Sequence, residues 1–178
     1  MNVFECMEQR ESCRDYDPEK AVEREQLVRC IEAARMAPSA CNSQPWHYLV
    51  VRNAEDATAL RPMLQGMGMN AFVKNCPAFI VVTETPAGAT ASIGGKLRDQ
   101  HYAPTDIGLS VSQLCLAATA QGLGTCILGW FDEKKIKEYF ELPKNHRVRL
   151  VLCVGYAKKD TLRKKQRKSL EEISTFRD

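Results

Sequence analysis

Three stretches hold the residue types that can do chemistry. In the first, Arg10-Glu11-Ser12-Cys13-Arg14, the residues Arg10, Ser12 and Arg14 alternate. In an extended chain, residues two apart share a face. Two guanidiniums and a hydroxyl on one face suit a bound anion, because the planar arginine fork matches phosphate geometry. The same pattern also suits an ordinary solvated surface segment. In the second stretch, residues 37–46 (APSACNSQPW), Ser39, Asn42 and Gln44 stand between Pro38 and Pro45. The prolines stiffen the backbone, and the short polar side chains offer donors and acceptors that suit the edge of a flat polar ring. A rigid helix-to-strand turn whose polar groups satisfy their own backbone is an equal reading. The third stretch is basic: Lys158, Lys159, Arg163, Lys164, Lys165, Arg167 and Lys168.

No residue demands the role of nucleophile, since the chain has no G-x-S-x-G, H-E-x-x-H or Walker loop. The three histidines are His47, His101 and His146. His47 opens a strand and reads as structural. His101 and Tyr102 flank a loop and are candidates to face a substrate. Met67, Met69, Phe72, Trp130 and Phe131 suit either a pocket wall or the core. The eight cysteines form no C-x-x-C pair, so the close spacing typical of metal clusters is missing. Several sit in apolar runs, as in QLCLAA and LVLCVGY, and read as reduced core residues.

The elements that must position these residues follow from periodicity. Asn2, with Glu5 three positions on, predicts a capped helix over 2–10. Leu27, Ile31 and Ala34 predict a helix over 23–37 that stops before Pro38. Strands are expected at 46–52, 77–83, 125–130 and 147–157, and helices at 54–65 and from Asp132 to about Phe140. Asp106 is expected to open the strongest helix, which runs to about Gln121 and stops at Gly122 and Gly124. That helix is apolar nearly all round and rich in small residues, so it must be covered on most sides, some of the cover coming from a second subunit. Residues 84–101 read as a mobile loop. The expected class is α+β: a mixed central sheet between helix layers.

At 178 residues the chain fits one domain large enough to need no disulfide or metal. A net charge of +3 is too mild to argue for nucleic acid. The N-terminus lacks an apolar signal core, and no run reaches the length of a membrane span. A cytoplasmic protein is expected, with no membrane and no nucleic-acid partner.

The segment RESCR at 10–14 followed by APSACNSQPW at 37–46 resembles the paired signature of FMN-dependent nitroreductases. GLGTCILGW, after the small-residue helix, looks like that family's glycine-rich turn beside the flavin, and RKKQRKSLEEI resembles its closing phosphate-binding segment. The resemblance runs in order over nearly the whole chain. It implies a nitroreductase-like FMN-binding domain over 1–178, with a basic segment at about 158–178, in an intertwined homodimer. It also implies that NADH or NADPH is the electron donor. By the same resemblance, Arg10, Ser12, Lys165 and Arg167 would hold the FMN phosphate, and Arg14 would lie near the pyrimidine edge of the flavin. Pro38, Ser39, Ala40 and Asn42 would contact that flavin from the other subunit. Ile127, Leu128 and Gly129 would line the ring, and Asn70 would touch its edge. The turn carries no acidic residue, so contact there comes from backbone or apolar groups. The implied activity is a ping-pong two-electron reduction of nitroaromatics, quinones or similar conjugated small molecules. A same-fold reductive dehalogenase or flavin-processing enzyme, and a non-catalytic FMN-binding or sensing protein, are the alternatives.

Overall fold

The computed structural model describes residues 1–86, 99–159 and 161–177. The expected mobile loop at 84–101 lies mostly outside the described residues.

Helix α1 spans Val3–Gln9 and is capped as anticipated: Asn2 Oδ1 accepts from the Phe4 and Glu5 amides, and Glu5 accepts from the Asn2 amide at 2.8 Å. Helix α2 (Arg24–Arg35) and a 3₁₀ turn (Ala40–Asn42) lead into strand β1 (Trp46–Val51). Helix α3 (Ala54–Leu64) and a second 3₁₀ turn (Ala71–Asn75) precede strand β2 (Ala78–Glu84). Then come α4 (Tyr102–Ala120), β3 (Gly124–Leu128), α5 (Glu133–Tyr139), β4 (Arg147–Gly155) and the short α6 (Leu170–Ile173). The α4 helix begins at Tyr102, a turn earlier than Asp106. Pro104 is compatible with that start, because first-turn amides have no intrahelical partner to lose. Asp106 therefore lies inside the helix, buried, and serves another purpose described below.

The strands form one sheet in the order β1-β2-β4-β3, each pair antiparallel. Among the described residues the sheet is thus antiparallel, and the expected parallel component comes down to an isolated bridge between Ser12 and Thr125, outside the named strands. Because side chains alternate along a strand, the sheet builds two cores. Ala78, Ile80, Val82, Leu152 and Val154 face α2 and α4, packing with Leu27, Ala34, Ile107, Val111 and Leu114. Phe79, Val81, Val151 and Cys153 face α3, α5 and the second 3₁₀ turn, packing with Leu60, Leu64, Val73 and Ile136. Each fully buried Leu, Ile or Phe here contributes about 1.5–3 kcal/mol. A register shift after Val82 makes Arg149 the extra residue on β4, since Val82 pairs with Leu150 and Thr83 with Val148. The bulge re-aims Arg149 toward the Glu84 carboxylate.

All eight cysteines are free. Seven are buried as expected of small core hydrophobes; Cys41 is exposed. Burial pushes the thiols of Cys13, Cys115 and Cys126 up, and that of Cys30 to about 11. They are thus kept protonated and poorly nucleophilic. No described helix is long and apolar enough to cross a membrane.

Candidate functional site

The site begins with two glycines. Gly124 on β3 and Gly155 on β4 are register partners. A β-carbon on Gly124 would stand 2.7 Å from Cys13 Cβ, and one on Gly155 would stand 2.7 Å from Pro77 Cδ and 2.9 Å from the Tyr16 ring. The missing side chains let the N-terminal segment lie directly on the sheet's end. There the Cys13 amide donates to Thr125 O at 2.8 Å and the Asp17 amide to Tyr156 O at 2.9 Å. Tyr16 is fully buried, its hydroxyl donating to Cys153 O at 3.4 Å. These contacts fix the backbone that carries Arg10, Ser12 and Arg14.

The C-terminal segment then returns to the same place. The Lys158 amide donates to Asp15 O at 3.0 Å. Arg163 donates from its backbone amide and Nε to Glu11 Oε2, at 3.2 and 3.1 Å, and from Nη2 to Ser12 O at 2.7 Å. Lys165 Nζ donates to Arg10 O at 2.7 Å. The two ends of the chain enclose a cleft of about 440 Å³ lined by Arg10, Glu11, Ser12, Arg14, Arg163, Lys164, Lys165, Gln166 and Arg167. The sequence-predicted residues Arg10, Ser12, Arg14, Lys165 and Arg167 are thus brought together. Among the cleft's cations, and among the described residues, only Arg163 forms an ion pair, with Glu11. Partial burial, then repulsion from Arg10 and Arg167, holds the Lys165 ammonium below the ordinary lysine range. An anion in the cleft relieves that repulsion. The donor set, guanidiniums with one hydroxyl, fits a phosphate monoester.

Strand β3 lies at the edge of the sheet, where its Thr125 bridges to Ser12 of the cleft. Because Thr125 O turns outward to accept from Cys13, the two-residue period also turns the N–H and C=O of Ile127 outward. Ile127 is exposed, whereas the Leu128 side chain is buried in the α3/α5 core and its backbone, by the same period, faces Val151 of β4. A β-carbon at Gly129 would meet nothing within 4 Å, so neighbouring packing does not account for that glycine.

The loop at 37–46 does not join the cleft within one chain. Cys41, Asn42 and Gln44 all have positive φ, of 52°, 50° and 44°. Left-handed backbone at non-glycine residues costs about 1 kcal/mol or more each and needs support. Ser39 Oγ accepts from the Gln44 amide at 2.9 Å, and Gln44 Nε2 donates to Asn42 Oδ1 at 3.1 Å. From α4, the buried Asp106 carboxylate accepts from the Ala40 amide at 3.2 Å. Asp106 was missed as a site-forming residue because an Asp before an apolar stripe signals a helix cap, and only the packing of α4 on α2 reveals its partner. Ser39 and Ala40 are half-buried, whereas Pro38 and Asn42 are exposed.

Asn70 also stands apart from the cleft. It has φ 59°, and its Nδ2 donates to Leu64 O at 2.9 Å and Trp130 O at 3.3 Å, tying two loops together. Met67 is 89% exposed, Met69 and Trp130 are partly so, and Phe72 and Phe131 pack on the α3/α5 core. His101 Nε2 lies 3.1 Å from Glu84 Oε1, while His47 and His146 face each other at 6.2 Å. Arg163 was also missed. It stands among several similar cations in sequence, and only the fold singles it out by its contact with Glu11.

A sequence model of the nitroreductase family matches residues 7–68 and 63–156. An Archaeoglobus fulgidus protein provisionally named NADH dehydrogenase/NAD(P)H nitroreductase is 31% identical over 155 residues, covering 84% of this chain and 82% of its own. The crystal structure of a nitroreductase family protein from Streptococcus pneumoniae superposes with a TM-score of 0.80 at 26% identity, covering 99% of this chain and 100% of that one. A provisionally named nitroreductase from Exiguobacterium sibiricum, solved in complex with FMN, superposes with a TM-score of 0.81 at 24% identity over 99% and 98% of the two chains.

Proposed function

This chain belongs to the nitroreductase family, and from that premise we propose that it is an FMN-dependent oxidoreductase. It takes electrons from NADH or NADPH and passes them, two at a time, to a nitroaromatic, a quinone or a similar conjugated small molecule. The observation that carries the reading is the convergence of Arg10, Ser12, Lys165 and Arg167 on one cleft from opposite ends of the chain. The FMN bound in the Exiguobacterium sibiricum relative supports the cofactor, and the Archaeoglobus fulgidus relative's name supports the donor.

In this reading the whole chain is one FMN-binding domain. Arg10, Ser12 and Arg167 hold the phosphate, while Lys165 supplies charge and positions Arg10. Bound flavin supplies the hydride chemistry; the chain supplies orientation, electrostatics and access. Arg14, on the same cleft wall, stands near the pyrimidine edge, where a fixed positive charge favours the reduced form. The outward backbone of Ile127 and the open flank of Gly129 receive the ring, with Leu128 behind them holding this end of β3 on β4. Asn70, whose amide nitrogen is engaged with Leu64 and Trp130, reaches the ring edge through its remaining oxygen.

Pro38, Ser39, Ala40 and Asn42 serve the flavin of a second copy. Exposed apolar side chains on a single chain support that homodimer: Val3, Phe4 and Met7 on α1, Leu109 on α4, and Leu170, Ile173 and Phe176 near the C-terminus. The electron donor leaves before the acceptor binds, in a shared site and in the cytoplasm. Mixing the protein with FMN and NADH or NADPH without oxygen tests the reading. Bleaching of the yellow colour, restored by an added quinone, is expected; protein that stays colourless with FMN supplied overturns it. Parallel double-reciprocal lines test the shared site.

A further inference from the structure

We propose that Glu11 and Arg163 are positioning residues that dock the C-terminal segment and so preform the phosphate cleft before any cofactor arrives. The proposal rests on the phosphate reading of the cleft but assigns these two residues no contact with the phosphate. Among the described residues, Glu11 is the single acid lining the cleft, and its Oε2 accepts from both the backbone amide and Nε of Arg163. The Arg163 fork is thereby turned toward protein, with Nη2 on Ser12 O. Two of the guanidinium's five N–H donors are thereby committed to protein.

The consequence is geometric. Arg163 grips the backbone at residues 11 and 12, and Lys165 grips it at residue 10. Between them stands Lys164, and beyond them Arg167, both on the cleft wall. The tail from Thr161 to Lys168 forms no helix or strand, so it lacks a backbone ladder to hold it. Without an anchor, the crowded cations of the cleft would push it away. Glu11 offsets part of that repulsion. An isolated exposed ion pair is worth little, but here one carboxylate takes two donors and the same arginine reaches a carbonyl. The Glu11 side chain is 24% exposed and that of Arg163 60%, so the carboxylate is the shielded end of the pair.

Two readouts on the full-length protein test this. The first is amide hydrogen exchange across residues 158–168 without FMN; the second is the dissociation constant for FMN by fluorescence titration. Arg163→Gln and Glu11→Gln are each expected to speed exchange in that segment about tenfold and to weaken FMN by a similar factor, the loss of a charge-assisted hydrogen bond. Arg163→Lys, which keeps the charge opposite Glu11, recovers part of both effects. Exchange unchanged in Arg163→Gln overturns the proposal. So does weakened FMN binding with the tail still docked, because Arg163 would then touch the phosphate itself. If the wild-type protein takes up no FMN, the cofactor reading fails, and the exchange measurement still decides whether the tail is anchored by this pair.

Discussion

Lys165 Nζ donates to the carbonyl oxygen of Arg10 at 2.7 Å, across 155 residues of sequence. The bond joins the two segments whose cations share the cleft, and it shows why neither segment suffices alone. Arg10 is aimed by a residue that folding must first bring from the far end. Removing Lys165 therefore disturbs both charge and aim, whereas removing the Arg10 side chain leaves this bond to its backbone in place.

Arg10→Gln and Arg167→Gln are each expected to weaken FMN binding about 10- to 100-fold, the range for losing a charged hydrogen bond. Flavin fluorescence titration measures it. The wild-type affinity should fall as ionic strength rises, since the cleft is open to solvent. An Arg10→Gln protein with wild-type affinity contradicts the phosphate assignment.

Gly124→Ala places a methyl 2.7 Å from Cys13 Cβ. Overpacking of this kind costs about 1–3 kcal/mol, and here it also lifts the segment that carries Ser12. Chemical denaturation should show reduced stability, and FMN affinity should fall with it. Gly155→Ala is expected to be worse, because Pro77 and Tyr16 both stand within 3 Å of the new carbon. Equal stability of Gly124→Ala and wild type would count against the close crossing.

Asp106→Ala removes the buried acceptor of the Ala40 amide. An orphaned buried group costs about 1–3 kcal/mol, and the left-handed loop at 41–44 loses a support. FMN affinity is expected to fall even though Asp106 does not line the Arg10 cleft. If the loop serves a neighbouring copy, mixed dimers tell the difference. Combining Asp106→Ala chains with Arg10→Gln chains should leave one intact site per heterodimer, with half the flavin bound tightly. No tight site in such mixtures contradicts the shared arrangement.

Glu84 gives a pH dependence. Burial alone would raise its carboxyl, but the bonds from Arg149 and His101 together hold it below the ordinary carboxylate range. A lowered folded-state value means the stabilisation is complete above the unfolded value, about 4.3. It is lost as pH falls through the lowered one. Glu84→Gln should lower stability by about 1–3 kcal/mol at neutral pH and by progressively less in acid. Denaturation midpoints measured from pH 7 down to pH 3 check this; a constant difference across that range overturns it.

Element positions were legible because local chemistry writes them. The Asn2–Glu5 cap, the stop before Pro38, the Asp132 cap and the apolar runs of β2 and β4 all act within a few residues. The start of α4 was misjudged because Asp106 carries a capping residue's chemistry while its actual partner, Ala40, is 66 residues away. The antiparallel register, likewise, depends on which strands meet, which periodicity does not encode.

The sequence by itself determined the residue types that can hold a phosphate, the elements that carry them, and the resemblance that orders four motifs along the chain. Only the tertiary structure decided which cation does what. It bound Arg163 to Glu11, turned Lys165 onto Arg10, buried the Leu128 side chain and kept the loop at 37–46 out of its own chain's cleft. The physical reason is reach. Capping and periodicity act over one or two turns, whereas the electrostatics of the cleft exists only after the N-terminal segment, seated on Gly124 and Gly155, meets Arg163 and Lys165 from the far end.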